Sequence, residues 1–119
     1  MAVKLSARQQ AQLSFLQTLP PKIQRMHSVV EQMAAMHADD TTVRGFIRVL
    51  DEVKAGAGAL SLTSLAESAG LMATMARRGG GLQMKVRGLR ELLGSLKINY
   101  EGALRQATMP ETAEHPPPG

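Results

Sequence analysis

The sequence predicts an all-α protein, and three observations lead to that class. Aromatic residues make up only 3% of the 119 residues, while methionine occurs eight times, and such a composition suits helices better than sheets. Apolar residues recur at steps of three and four over much of the chain, which is the spacing of one helix face. Polar or glycine-rich stretches separate these segments. We therefore predict one domain, an antiparallel up-down-up-down four-helix bundle with an additional short N-terminal helix.

The N-terminal region predicts the short helix. Residues 6–18 are rich in glutamine and carry a few apolar anchors, and the motif LPP at 19–21 then interrupts the pattern. Pro20 and Pro21 fit the first turn of a following helix, where a missing backbone N–H does no harm. A second helix should therefore begin at this proline pair.

The second and third helices are predicted from their apolar stripes. The second helix carries Ile23, Met26, Val30 and Met33, with Met36 as a candidate last member, and should end between Met36 and Ala38. The polar connection HADDTT follows, in which Thr41 or Thr42 is expected to cap the third helix. The stripe of the third helix comprises Val43, Phe46, Ile47, Leu50, Val53, Ala57 and Leu60.

The C-terminal half predicts two further helices. Ser64 and Glu67 have the spacing of a capping box, and the helix they would open carries Leu65, Ala69, Met72 and Met75 and should end at RRGGG. The last stripe comprises Leu82, Val86, Leu89, Leu93, Leu96, Tyr100 and Ala103. The domain is thus predicted over residues 1–106, and the proline-rich segment 107–119 is predicted to be a disordered tail.

Composition narrows the classes of function. The chain has no cysteine, which excludes disulfides and thiolate metal sites. We find neither the apolar core of a signal peptide nor an apolar run of about 18 residues, so a soluble cytoplasmic protein is expected. The net charge of +4 and a pI near 10.0 could favour nucleic acid, an anionic membrane or an acidic protein, but a solvated basic face without a partner explains them too.

One flank of the third helix combines charged and small residues. With about 100° per residue, Asp51 lies beside the core stripe, and a single strip collects Arg44, Arg48, Asp51, Lys54, Ala55 and Gly58. We call these six residues the third-helix strip. Glycine within a helix costs roughly 1 kcal/mol relative to alanine, so Gly56 and Gly58 predict an open surface here. The strip therefore predicts a place where a partner approaches closely.

The residues around this strip resemble a known family. The segment DEVKAGAGALSLTSLAESAGLM is similar to the signature of histidine-containing phosphotransfer (HPt) domains, in which lysine follows the phosphoryl-accepting histidine by three residues and a small residue comes next. The upstream FLQTLPPKIQRM resembles the family motif F-L-x-x-L-P-x-x-L, and the similarity covers most of residues 13–104. The resemblance implies a four-helix bundle whose partners are receiver domains and histidine kinases. It also implies that Lys54 neutralises phosphate and that Ala55 and Gly58 let a partner approach.

The sequence departs from the family at the acceptor position, which Asp51 occupies. A neutral imidazole is a nucleophile near pH 7, whereas a carboxylate is a weak nucleophile that usually needs a metal ion. His27, His37 and His115 do not fall at the acceptor position. We therefore expect neither enzymatic activity nor a cofactor or metal. Phosphate uptake by Asp51 as an acyl phosphate stays an alternative, although the strip has no acidic cluster for Mg²⁺.

The leading hypothesis is a degenerate HPt-like module of two-component signalling that binds a receiver domain or a histidine kinase without relaying phosphate. Receiver domains commonly present an acidic pocket, which the basic residues Arg44, Arg48 and Lys54 would complement. A bundle with a purely structural role is a second possibility, with Asp51 paired to Arg48 or Lys54 along the helix.

Nucleic-acid binding is the alternative from another class. It would use the basic residues of the second half, Arg77, Arg78, Lys85, Arg87, Arg90, Lys97 and Arg105. The sequence offers no recognisable reading helix and few aromatic residues for base stacking. These features favour the protein-binding hypothesis.

Overall fold

The computed structural model describes residues 5–109, and the regular elements in that range are all α-helices. The all-α prediction is therefore confirmed. The helices are α1 (Ala7–Leu16), α2 (Leu19–Ala34), α3 (Asp40–Ala59), α4 (Thr63–Arg77) and α5 (Leu82–Thr108). The described residues contain no helix that is long and apolar enough to cross a membrane.

The first three helices begin with local hydrogen bonds or with proline. The Ser6 hydroxyl accepts from the Gln9 N–H at 3.0 Å, and the Gln9 side chain accepts from the Ser6 N–H, which completes a capping box. In α2, proline lies in the first turn, as predicted. In α3 the predicted cap at Thr41 or Thr42 is wrong, because the Asp39 carboxylate accepts from the Thr42 N–H at 2.8 Å.

The end of α2 differs from the prediction. The helix stops at Ala34 instead of within residues 36–38, because Met36 adopts a left-handed backbone with φ of 62°. The N–H of His37 then donates to the carbonyl of Gln32 at 2.7 Å, which satisfies a free carbonyl of the last turn. Glycine usually occupies the left-handed position of this motif, so a methionine there gave no signal in the sequence.

A turn of the same kind separates α3 from α4. Ser61 has φ of 61°, and the N–H of Leu62 donates to the carbonyl of Ala57 at 2.8 Å. Because this turn is so tight, α4 begins directly after Leu62, which caps it without a side-chain hydrogen bond. The predicted capping box of Ser64 and Glu67 is therefore wrong, since both residues already lie inside the helix.

The apolar stripes meet in one core. The helix pairs that pack most extensively are α3 with α4, α4 with α5 and α2 with α5, while α1 contacts mainly α5. The fully buried large side chains are Leu16, Leu19, Met26, Val30, Phe46, Leu50, Val53, Leu65, Met72, Leu89 and Leu96. The predicted stripes are thus buried or half-buried except at Met36, which is 79% exposed, and at Leu82, which is 36% exposed.

The C-terminal end of α5 runs further than predicted. The helix continues to Thr108, two residues past Gln106, and Ala107 is only 1% exposed. Ala107 and Thr108 therefore belong to the helix and not to the predicted tail. The remainder of that predicted tail, from residue 110 onwards, lies outside the described residues.

Two buried glutamines attach α1 to the ends of other helices. Gln9 donates from Nε2 to the carbonyl of Gln106 at 3.2 Å, and Gln12 donates from Nε2 to the carbonyl of Leu60 at 2.9 Å. Both side chains are nearly inaccessible to solvent. The carbonyls at the ends of α3 and α5 thereby gain partners that the helices themselves do not supply.

Candidate functional site

The third-helix strip lies on the protein surface. Arg44, Arg48, Lys54, Ala55 and Gly58 are all exposed, and the side chain of Asp51 retains 45% of its accessible surface. The opposite face of α3 supplies buried residues such as Leu50 and Val53 to the core. The strip is therefore available to a partner without any unfolding of the helix.

The two glycines of α3 have different surroundings. A Cβ atom added at Gly58 would meet no atom of residues 5–109 within 4 Å, apart from its chain neighbours and the backbone of its own helix turn. At Gly56 the added Cβ would overlap the ring of Phe15, which packs there from α1. The expectation of an open surface thus holds for Gly58 and is wrong for Gly56, because Gly56 makes room for an internal contact.

Lys54 reaches across to the neighbouring helix. A Cβ added at Gly70 of α4 would lie 3.3 Å from Cδ and 3.7 Å from Nζ of Lys54. The aliphatic part of Lys54 therefore covers Gly70, while the residue as a whole remains exposed. This arrangement is typical of lysine, which packs its methylene groups on a surface and keeps its ammonium group in water.

An open groove of about 470 Å³ lies between α3 and α4. Its lining combines small, apolar and charged residues, namely Lys54, Gly58, Thr63, Ala66, Glu67, Gly70, Leu71 and Thr74. Leu71 is 57% exposed and supplies the large aliphatic side chain of this lining. The groove could accept the side chains of a partner, with Leu71 as its apolar contact and Lys54 as its cation.

The α4 half of this groove was not identified from the sequence. The motif SAGLM places Gly70 inside a predicted helix, and the same cost of glycine that drew attention to Gly58 applies there. Gly70 could therefore have been found by that signal. Leu71 could not, because a single leucine beside an apolar stripe does not reveal whether it is covered.

Asp51 is paired with a residue of another helix. Its Oδ2 accepts a hydrogen bond from the Nη2 of Arg77 at the end of α4. The interpretation that Asp51 pairs with Arg48 or Lys54 along α3 is therefore wrong. Within residues 5–109, the ion pairs of the structure are Asp51–Arg77 and Glu31–Arg90.

The second ion pair affects the basic surface of α5. Arg90 donates to both carboxylate oxygens of Glu31, at 2.7 and 3.0 Å. These hydrogen bonds hold the pKa of Glu31 below its ordinary value and raise that of Arg90. Because Arg77 and Arg90 both bind carboxylates, two of the seven cations proposed for nucleic-acid contact are engaged within the protein.

The described residues contain no group of three or more histidine or acidic side chains that could hold a metal ion. The site therefore consists of the third-helix strip, the groove beside it and the Asp51–Arg77 pair. No protein-family model, curated protein or solved structure matches this chain, so the similarity to HPt domains rests on the sequence motifs alone.

Proposed function

We propose that this protein is an HPt-like module of two-component signalling that binds a receiver domain or a histidine kinase without relaying phosphate. In this proposal α2, α3, α4 and α5 form an antiparallel up-down-up-down bundle, and α1 is the additional N-terminal helix. The partner docks on the third-helix strip and the groove between α3 and α4. The protein then serves as an adaptor, a competitor or an inhibitor.

The observation that carries the proposal is the open space at Gly58 beside the exposed Lys54. In the HPt pattern the small residues after the acceptor position let a partner approach closely, and no side chain of the described residues blocks that approach at Gly58. The groove extends this surface to Gly70 and Leu71 of α4. A docking partner would thus meet the exposed faces of two neighbouring helices, with open space at Gly58 and the aliphatic part of Lys54 lying across Gly70.

Electrostatics favours an acidic partner. Arg44, Arg48 and Lys54 are exposed on one strip, and none of them takes part in an ion pair among residues 5–109. Opposite charges across an interface accelerate association and select among partners. A receiver domain, whose pocket is commonly acidic, has the complementary charge.

Phosphoryl relay is not part of the proposed function. The carboxylate of Asp51 stands where HPt domains have their imidazole, and it is bound to the guanidinium of Arg77. Hydrogen bonding to a cation lowers the nucleophilicity of a carboxylate further, because its charge is already compensated. Transfer of labelled phosphoryl from a kinase or receiver to the wild type, compared with Asp51→Ala, should show no difference between the two.

Calorimetry with purified receiver domains and histidine kinases tests the docking surface. Gly58→Trp should abolish or greatly weaken binding because the indole would occupy the open space. The matched control is Gly94→Trp on α5, where an added Cβ also meets no atom within 4 Å. The proposal fails if no receiver or kinase binds, or if Gly58→Trp binds as tightly as Gly94→Trp.

A gain-of-function variant tests the likeness to HPt domains directly. Asp51→His would place an imidazole at the acceptor position, three residues before Lys54. If the docking geometry is HPt-like, a ring nitrogen should take the phosphoryl group from a receiver's aspartyl phosphate, which is left as a free carboxylate. The control is Glu52→His, which puts the imidazole on a different face of α3. Equal labelling of both variants would contradict the proposal.

A further inference from the structure

The Asp51–Arg77 pair links the third-helix strip to the end of α4. Arg77 lies in the last turn of α4, and its side chain retains 52% of its accessible surface, against 45% for Asp51. The pair joins residues 26 positions apart in the chain. Both groups can therefore be reached from solvent while they bind each other.

The Asp51–Arg77 ion pair contributes little to the stability of the fold. Exposed ion pairs contribute between about zero and 1 kcal/mol, since solvent screens the charges and the side chains lose freedom. The position of Asp51 is more informative, because it is the acidic member of a strip whose other charged residues are Arg44, Arg48 and Lys54. Its carboxylate therefore compensates positive charge at the place where an acidic partner would dock.

Arg77 is well suited to recognise such a partner. A guanidinium group presents planar, paired N–H donors that fit a carboxylate, which the ammonium group of Lys54 cannot do. In the free protein one of these donors is bound to Asp51. A carboxylate of the partner would therefore meet an arginine that already has an acidic ligand.

We propose that Arg77 determines specificity for a partner carboxylate and that Asp51 occupies Arg77 in the free protein as an internal competitor. The inference rests on the proposed function, since it concerns the same docking surface. Docking exchanges one carboxylate for another on the same guanidinium. The acceptor position thus keeps a role in setting partner affinity, although it does not carry phosphate.

A double-mutant cycle with an acidic receiver domain tests the inference. Asp51→Asn should bind the receiver up to about five times more tightly than the wild type, the largest change expected for an exposed ion pair. Arg77→Gln should bind more weakly. In the Arg77→Gln background, Asp51→Asn should lose most of its gain because the competition acts through Arg77.

The control for charge alone is Glu52→Gln, which removes one acidic charge from the same helix at an exposed position on another face. The inference is overturned if Asp51→Asn gains no more affinity than Glu52→Gln. It is also overturned if the gain persists undiminished in the Arg77→Gln background. Folding of each variant is verified by its thermal unfolding.

A spectroscopic measurement on the free protein separates this inference from the proposed function. The Nε–H resonance of Arg77 should shift in Asp51→Asn and stay in place in Glu52→Gln. If the resonance shifts but no variant binds any receiver or kinase, both the proposed function and the partner role of Arg77 are overturned. If receivers bind and the resonance does not shift, the inference alone is overturned.

Discussion

Two sides of α3 each carry a glycine, and the surroundings of the two glycines differ. Gly56 is covered by the ring of Phe15 from α1, whereas at Gly58, two residues later, an added Cβ would meet no side chain of the described residues within 4 Å. About 200° of rotation separates the two positions around the helix. The first glycine joins α1 to the bundle, and the second leaves space at the surface.

The contrast teaches that a glycine within a helix indicates a place where another group can come close to the helix backbone. It does not indicate whether that group belongs to the same protein or to a partner. Both glycines destabilise the helix by a similar amount relative to alanine. The difference between them arises only from the neighbouring helices, since α1 covers Gly56 and no helix within residues 5–109 covers Gly58. The internal side should therefore respond to substitution with a loss of stability. The external side should respond with a loss of binding.

The largest effect is expected at Gly56. Gly56→Leu should reduce the free energy of unfolding by about 1–3 kcal/mol because the added side chain must displace Phe15. Urea denaturation followed by circular dichroism measures this change. Gly94→Leu is the matched control at an open helical position, and equal stability of the two variants would show that Phe15 does not pack on Gly56.

The attachment of α1 can also be weakened through a hydrogen bond. Gln12→Leu should cost about 1 kcal/mol because the carbonyl of Leu60 loses its donor within a nearly buried contact. Gln24→Leu, at an exposed position of α2, is the control for the change of residue type. A loss of stability in the control as large as in Gln12→Leu would contradict the proposed attachment.

A smaller effect of opposite sign is expected at Gly58. Gly58→Ala should raise the free energy of unfolding by up to about 1 kcal/mol because alanine favours the helix and its methyl group meets nothing. Thermal unfolding measures the gain, with Gly94→Ala for comparison. A destabilised Gly58→Ala would mean that the external side of α3 is not open.

The smallest effect is expected from the pH dependence of two exposed carboxyl groups. Hydrogen bonds from Arg90 to Glu31 and from the Thr42 N–H to Asp39 hold both pKa values below their ordinary 4.5 and 3.8. Each contribution to stability is therefore present above the ordinary pKa and is lost as the pH falls through the lowered value. Glu31→Gln should reduce the loss of stability between pH 5 and about pH 2.

A matched control for the pH experiment is Glu91→Gln, which removes an exposed carboxylate of α5 that is in neither ion pair within residues 5–109. Urea denaturation at several pH values compares the two variants with the wild type. If Glu31→Gln and Glu91→Gln reduce the loss of stability at acidic pH by the same amount, the bond from Arg90 does not lower the pKa of Glu31.

The sequence predicted the parts of the fold that depend on periodicity. The predicted stripe residues are buried or half-buried except Met36 and Leu82, because burial follows from apolar residues at helical spacing. The end of α2 and the start of α4 were missed, because the turns there are made by Met36 and Ser61, left-handed residues without the usual glycine. These turns are held by hydrogen bonds from a backbone N–H to the carbonyl five residues earlier. Such bonds do not change the spacing of apolar residues, so the sequence pattern does not reveal them.

The candidate site was predictable on one helix and not between helices. Helical spacing alone places Arg48, Asp51 and Lys54 on one flank of α3. The contacts from Asp51 to Arg77 and from Lys54 to Gly70 depend on how α4 lies against α3, and residue spacing along one helix does not contain that information. Pairing across helices was therefore the main source of error.

The hydrogen bond from Gln9 to Gln106 has a consequence for biosynthesis. It joins residues 97 positions apart, so α1 cannot complete its attachment until Gln106 has left the ribosome. Contacts between such distant segments form late and slow the folding of a small domain. During translation, the face of α1 that packs against α5 therefore stays exposed until α5 has been synthesised.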